Sequence, residues 1–165
     1  MQAMKKESGL TLIELMVVIA IIGIAAAVAI PNIIGWLPNY RLGSGAREML
    51  STLQQARLTA LKLNAPISVD FDVDGGGILD GTGYITFLDD GTGVGGVRGN
   101  GVQDGSERTL ATYTMPPGVT ITAGPLGTGF GTTGLAAVSN TWTLTNSGGA
   151  IRQIVVSPGG SCRIQ

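Results

Sequence analysis

The sequence predicts an α+β fold in which one long N-terminal helix packs on antiparallel sheet. Three observations point there. An apolar run extends from Leu10 to Ile30, with only Thr11 and Glu14 polar. Apolar residues then recur at helical spacing from Leu42 to Leu61. From Ile67 onward, short alternating segments are divided by glycine-rich intervals. These regions also explain a composition that pairs 44% hydrophobic residues with 27 Gly in a chain of 165. The apolar residues concentrate in the first segment and the glycines in the last.

The first element is the apolar helix. Twenty-one residues of helix reach roughly 31 Å, about the thickness of bilayer hydrocarbon. Lys5 and Lys6 precede the run, which keeps that end cytoplasmic and sends the rest of the chain to the other side. Pro31, Gly35, Pro38, Gly43 and Gly45 weaken the stretch that follows. The amphipathic part places Leu42, Ala46, Met49, Leu50, Leu53, Ala56, Ala60 and Leu61 on one face, with Arg41, Arg47, Glu48, Gln54, Gln55, Arg57 and Lys62 on the other. The helix should end near Asn64, with Pro66 just beyond.

The strands follow. Ile67 to Val73 alternates, Tyr84 to Leu88 closes at Asp89-Asp90-Gly91, and Thr109–Met115, Val119–Thr122 and Thr141–Thr145 continue the pattern. Ile151–Val156 and Ser161–Ile164 flank Pro158-Gly159-Gly160 and read as a hairpin. The intervals 91–106 and 124–140 read as loops.

Composition excludes several functions. With no His, catalysis by Ser-His-Asp or Cys-His and His-ligated zinc are ruled out. A single Cys rules out an intrachain disulfide. A net charge of -1 is incompatible with bulk phosphate neutralisation. Charge is nonetheless segregated: residues 41–62 hold four basic and one acidic group, 70–107 eight acidic and one basic, and 108–165 three Arg and no acid. Such a pattern either orients a subunit against charged neighbours or is incidental.

Three readings of the apolar run compete. Ala27-Val28-Ala29 fits a cleaved secretory signal, and a simple signal anchor needs no cleavage. Neither has a use for Glu14, a carboxylate whose burial in a membrane is unfavourable. The third reading rests on Lys5-Lys6-Glu7-Ser8-Gly9 followed by Leu10-Thr11-Leu12-Ile13-Glu14-Leu15, which resembles the type IV prepilin signal. The resemblance implies cleavage by prepilin peptidase between Gly9 and Leu10 and N-methylation of Leu10. It also implies assembly roles for Glu14 and Pro31, at the fifth and twenty-second mature positions. Leu10 departs from the family's usual Phe. Once cut, Leu10 carries a cationic α-amine that pairs with Glu14 of a neighbouring helix; a paired buried charge is tolerated where a stranded one is not, so the pair sets register.

Arg41-Leu42, Ala46-Arg47-Glu48 and Leu53-Gln54-Gln55-Ala56-Arg57 carry a narrower resemblance, to the pseudopilin H and FimT branch of the pilin superfamily. It implies a leader at 1–9, a transmembrane and polymerisation helix at 10–30, a periplasmic helix continuation at 31–64 and a glycine-rich β head at 65–165. The implied function is a non-enzymatic minor pseudopilin of the type II secretion system, single-pass in the bacterial inner membrane with its N-terminus cytoplasmic and its head periplasmic. Implied partners are other major and minor pseudopilins or pilins, prepilin peptidase, the inner-membrane assembly platform and secreted cargo. The alternative is a FimT-like minor type IV pilin in pilus assembly or DNA uptake. A third class, an anchored periplasmic enzyme or binding protein, lacks any clustered nucleophile and base.

Two motifs remain. Asp70-x-Asp72-x-Asp74-Gly75 matches half of an EF-hand calcium loop, but Gly81 stands where a bidentate Glu is required. Strand alternation instead puts the three Asp on one solvent face, so no cofactor is the favoured expectation and Ca²⁺ the lesser one. Arg152 and Arg163 near the C-terminal hairpin form a thin basic footprint for DNA, with Ala150 in place of the first Arg of the family's Gly-Arg-x-Arg-like site. Cys162 reads as a small buried hydrophobe in the last strand, or else as the site of an intermolecular disulfide or a thiol adduct.

Overall fold

The computed structural model describes residues 11–73, 77–93, 95–103, 106–136 and 138–165, with the side chains of Pro31 and Asn32 excepted. The chain divides into an N-terminal unit ending at Leu37 and a head from Pro38 to Gln165. Helix α1 (Leu12–Leu63) supplies the first unit and continues into the head.

In the first unit the helix surface is almost wholly apolar and exposed. Leu12–Ile30 has the length and hydropathy (mean 2.8) to cross a membrane, with none of it buried. The helix also continues through Pro31, Gly35, Pro38, Gly43 and Gly45, which the sequence marks as weak points. Gly45 has a packing reason: a Cβ there would lie 3.1 Å from Pro116 Cδ, so its absence lets the helix approach the turn after β3 (Thr109–Thr114).

The head has two four-stranded antiparallel sheets. The first contains β1 (Ile67–Asp70), β2 (Gly83–Leu88), β3 and β5 (Gly127–Phe130), in the order β3-β2-β1-β5. The second contains β4 (Val119–Ala123), β6 (Asn140–Asn146), β7 (Ile151–Val156) and β8 (Cys162–Ile164), in the order β4-β6-β7-β8. Leu42, Ala46, Met49, Leu53, Ala56 and Ala60 of α1 form one core with Val69, Tyr84, Phe130, Trp142, Leu144 and Ile154 from the sheets and Phe71 just after β1. The spacing of the helical set keeps it on one stripe. Leu61, expected in that stripe, is 46% exposed because Ala60 takes the inward position and the next residue turns about 100° away. Thr52 is buried instead, its hydroxyl bonded to the Glu48 carbonyl (3.1 Å) and beside the Tyr84 hydroxyl (3.4 Å).

The helix stops as expected. Asn64 adopts φ 49°, a left-handed value that Asn tolerates, and Ala65 N–H returns to the Ala60 carbonyl at 3.3 Å. That bond closes a Schellman cap, and Pro66 prevents resumption.

Two expectations about strands are corrected. The first strand ends at Asp70 rather than Val73: Phe71 N–H still reaches the Leu126 carbonyl beside β5, but pairing with β2 stops at Asp70, and Asp72 N–H turns back to Asp70 Oδ1. The interval 124–140, read as loop, contains β5. Its Gly127 and Gly129 mask the strand signal, while Thr128 and Phe130 supply the buried alternation.

Candidate functional site

Helix α1 begins with Thr11 and Glu14. Thr11 N–H and Thr11 Oγ1 both donate to Glu14 Oε2 at 2.9 Å, and Glu14 N–H donates to Thr11 Oγ1 at 3.3 Å. This is a capping box: residues three apart satisfy each other's orphan backbone donors at the helix start. Sequence reasoning missed Thr11, although the Thr-x-x-Glu signature that finds it is in plain view. Both donors, neutral N–H and O–H groups, fall on Oε2, so neither occupies Oε1. Gly9 and Leu10 lie outside the described residues. Pro31 lies within the helix, and its side chain lies outside the described set.

Two hydrogen bonds tie the start of the head's helix to its turns. Arg41 Nη1 donates to the Pro117 carbonyl at 3.3 Å, and Asn146 Nδ2 donates to Asn39 Oδ1 at 2.8 Å. Deeper in, burial pushes the Tyr84 phenol well above its ordinary value, so it stays neutral against the helix.

The acidic residues do not sit where alternation put them. Asp70 and Asp72 are 2% and 6% exposed, not on a solvent face. Alternation identifies a solvent face only when one side of the sheet is bare, and here the 89–107 loop covers that side. Asp70 accepts from Asp72 N–H and Gln103 N–H, both at 2.9 Å, and Asp72 Oδ2 accepts from Gly77 N–H at 2.6 Å. Asp89, fully buried, accepts from Ser68 Oγ at 2.7 Å, Gly101 N–H at 2.9 Å and Gly99 N–H. Glu107, 6% exposed, accepts from Gly91 N–H at 2.8 Å. These carboxylates replace a β-ladder: they satisfy the amides of a loop too glycine-rich to form a strand. Burial raises the Asp70 pKa; the Gln103 and Asp72 amides pull it back, and the Asp72 charge adds to the rise.

For calcium, the donor set fits poorly. Asp70 and Asp72 already accept from backbone amides, Asp74 lies outside the described residues, and Gly81 has no side chain to chelate with. Among the described residues no group of three or more metal-ligating side chains gathers. Half of the acidic groups counted in 70–107 are internal: Asp70, Asp72, Asp89 and Glu107 are buried, whereas Asp80 and Asp90 are exposed.

Arg152 and Arg163 are not one site. Arg152 pairs with Leu144 and has the parity of the buried Ile154 and Val156, whereas Arg163 pairs with Val155 on the opposite face. Arg152 instead borders a recess of about 300 Å³ with Gly43, Ala46, Arg47 and Ile164. Cys162 is a free, half-buried thiol, 3.7 Å from the Gly160 carbonyl; burial raises its pKa and Arg57 partly offsets this.

A capped apolar helix that continues into the core of a small β head defines a type IV pilin fold. Comparison with known proteins carries this further. Residues 45–160 match the family described as type II transport protein GspH, and residues 4–30 match the prokaryotic N-terminal methylation motif. The chain belongs to the type IV prepilin-like GspH family. It is 30% identical over 168 residues to the pilin-like protein PilA1 of Thermus thermophilus, covering 95% of this chain and 97% of that protein. The fold is shared with the type IV minor pilin FimU of Pseudomonas aeruginosa, at TM-score 0.56 and 19% identity over 77% of this chain and 90% of that one. It is also shared with the minor pseudopilin EpsH from the type 2 secretion system of Vibrio cholerae, at TM-score 0.52 and 13% identity over 76% and 96%.

Proposed function

We propose that the protein is a minor, membrane-anchored structural subunit of a type IV-like filament, in its first form the periplasmic pseudopilus of a type II secretion system. The observation that carries this is the Glu14 carboxylate at the head of an otherwise charge-free span, behind Lys5-Lys6-Glu7-Ser8-Gly9. Prepilin peptidase cuts between Gly9 and Leu10, and the new Leu10 amine is methylated. In the filament that amine meets the Glu14 Oε1 of a neighbouring subunit, which selects one stagger of the helices. The inner membrane holds the subunit before assembly, with the head in the periplasm facing other pseudopilins, the assembly platform and cargo. The role is structural, with no catalytic step.

The match to the GspH family over 45–160 supports the secretion form. A second reading, a minor subunit of a type IV pilus, is favoured by the pilin-like relative that matches across 95% of the chain. Mass spectrometry of the mature N-terminus, from cells with active prepilin peptidase, tests the shared claim. The expected product begins at N-methylated Leu10; a start at Ile30 would mean a removed signal peptide and end the filament reading. Deletion of the gene separates the forms: loss of secreted proteins with intact pili supports the first, and loss of pili or DNA uptake with intact secretion the second.

A further inference from the structure

We propose, resting on the membrane-anchor reading, that Trp36 sits in the phospholipid headgroup layer and marks the outer end of the membrane span, beyond Ile30. The argument is one of length. From Glu14 to Ile30 is sixteen helical steps, about 24 Å, which is shorter than the ~30 Å hydrocarbon layer. If Ile30 were the outer edge, Glu14 would be drawn into hydrocarbon at the other. From Glu14 to Trp36 is twenty-two steps, about 33 Å, so both lie at interfaces.

The residues past Ile30 fit this placement. No charged residue occurs between Glu14 and Arg41. Ile33, Ile34 and Trp36 are 49%, 64% and 49% exposed in the N-terminal unit, an apolar continuation of the Leu12–Ile30 span. Trp is the side chain best suited to end such a run, because its amphipathic ring is enriched at membrane–water interfaces. The occupant of this face is therefore lipid: acyl chain along Ile33 and Ile34, headgroup around Trp36.

The test uses the full chain in phosphatidylethanolamine–phosphatidylglycerol vesicles and compares it with Trp36→Phe. The other tryptophan, Trp142, is fully buried in the head, so the difference spectrum reports Trp36. Lipids brominated near the ester end should quench that difference signal about twofold more than lipids brominated near the chain terminus. If the chain floats with vesicles but the Trp36 signal is quenched by aqueous iodide and not by either lipid, the span ends earlier and the proposal is overturned. Stronger quenching by the deep bromines overturns it as well, by placing Trp36 within hydrocarbon. A chain that does not float with vesicles overturns the anchoring reading itself.

Discussion

Replacing Asp89 tests whether buried carboxylates hold the head together. Its side chain is fully buried and satisfies Ser68 Oγ, Gly99 N–H and Gly101 N–H. Asp89→Ala leaves three donors without an acceptor. Each unsatisfied buried donor costs about 1–3 kcal/mol, and part of that is returned because a buried charge is also removed. The net loss should be about 3 kcal/mol, a large share of the roughly 5–15 kcal/mol that stabilises a domain. Asp89→Asn keeps one acceptor oxygen and should lose only about 1–2 kcal/mol. Urea denaturation of the full chain in detergent, followed by Trp142 fluorescence in a Trp36→Phe background, gives both values. Hydrogen exchange should show the Gly99 and Gly101 amides losing protection in Asp89→Ala before the rest of the head. An Asp89→Ala protein within about 1 kcal/mol of the parent, with those amides still protected, would refute the pinning argument.

Other outcomes follow from the same geometry. Gly124 has φ +144°, and a Cβ there would overlap Trp142 Cδ1; Gly124→Ala should destabilise the head by at least ~3 kcal/mol in the same denaturation assay. The raised Asp70 pKa means the folded head binds that proton more tightly than the unfolded chain. Asp70 should therefore add stability as pH falls from its raised value toward the ordinary 3.8 and lose it as pH rises again; Asp70→Asn should flatten the slope of urea midpoint against pH in that window. Thr11→Ala and Glu14→Ala each break the capping box and should fray the helix start, read as faster hydrogen exchange of its first-turn amides. Only Glu14→Ala removes the carboxylate, so it alone should abolish filament incorporation while leaving cleavage intact, read by sedimentation of sheared filaments and by mature N-terminal mass.

How much is legible in the sequence depends on the range of the interactions involved. The helix, its Asn64 stop and the β2, β6 and β7 strands rest on local periodicity, and the structure reproduces them. The Leu12–Ile30 span is equally local. The inward Asp70 is not legible, because the loop that covers it belongs to residues 89–107. β5 is hidden because glycine, needed there for close approach to Ser68 and the Gly101 loop, removes the strand signal. Arg152 and Arg163 look adjacent from their common hairpin; strand register, not proximity, puts them on opposite faces. Thr11 is the reverse case, a readable four-residue pattern overlooked beside Glu14.

The carboxylate-held loop has a consequence for the order of folding. Asp70 reaches Gln103 across 33 residues, and Ser68 reaches Asp89 across 21. Those bonds cannot form until β1 and β2 have paired and brought their acceptors into place, so the loop should dock after the main barrier. Interactions made that late act on the escape rate from the native state and leave the approach to it almost untouched. The glycine-rich segment, the least ordered-looking part of the sequence, would then govern how long a folded head lasts rather than how quickly it forms.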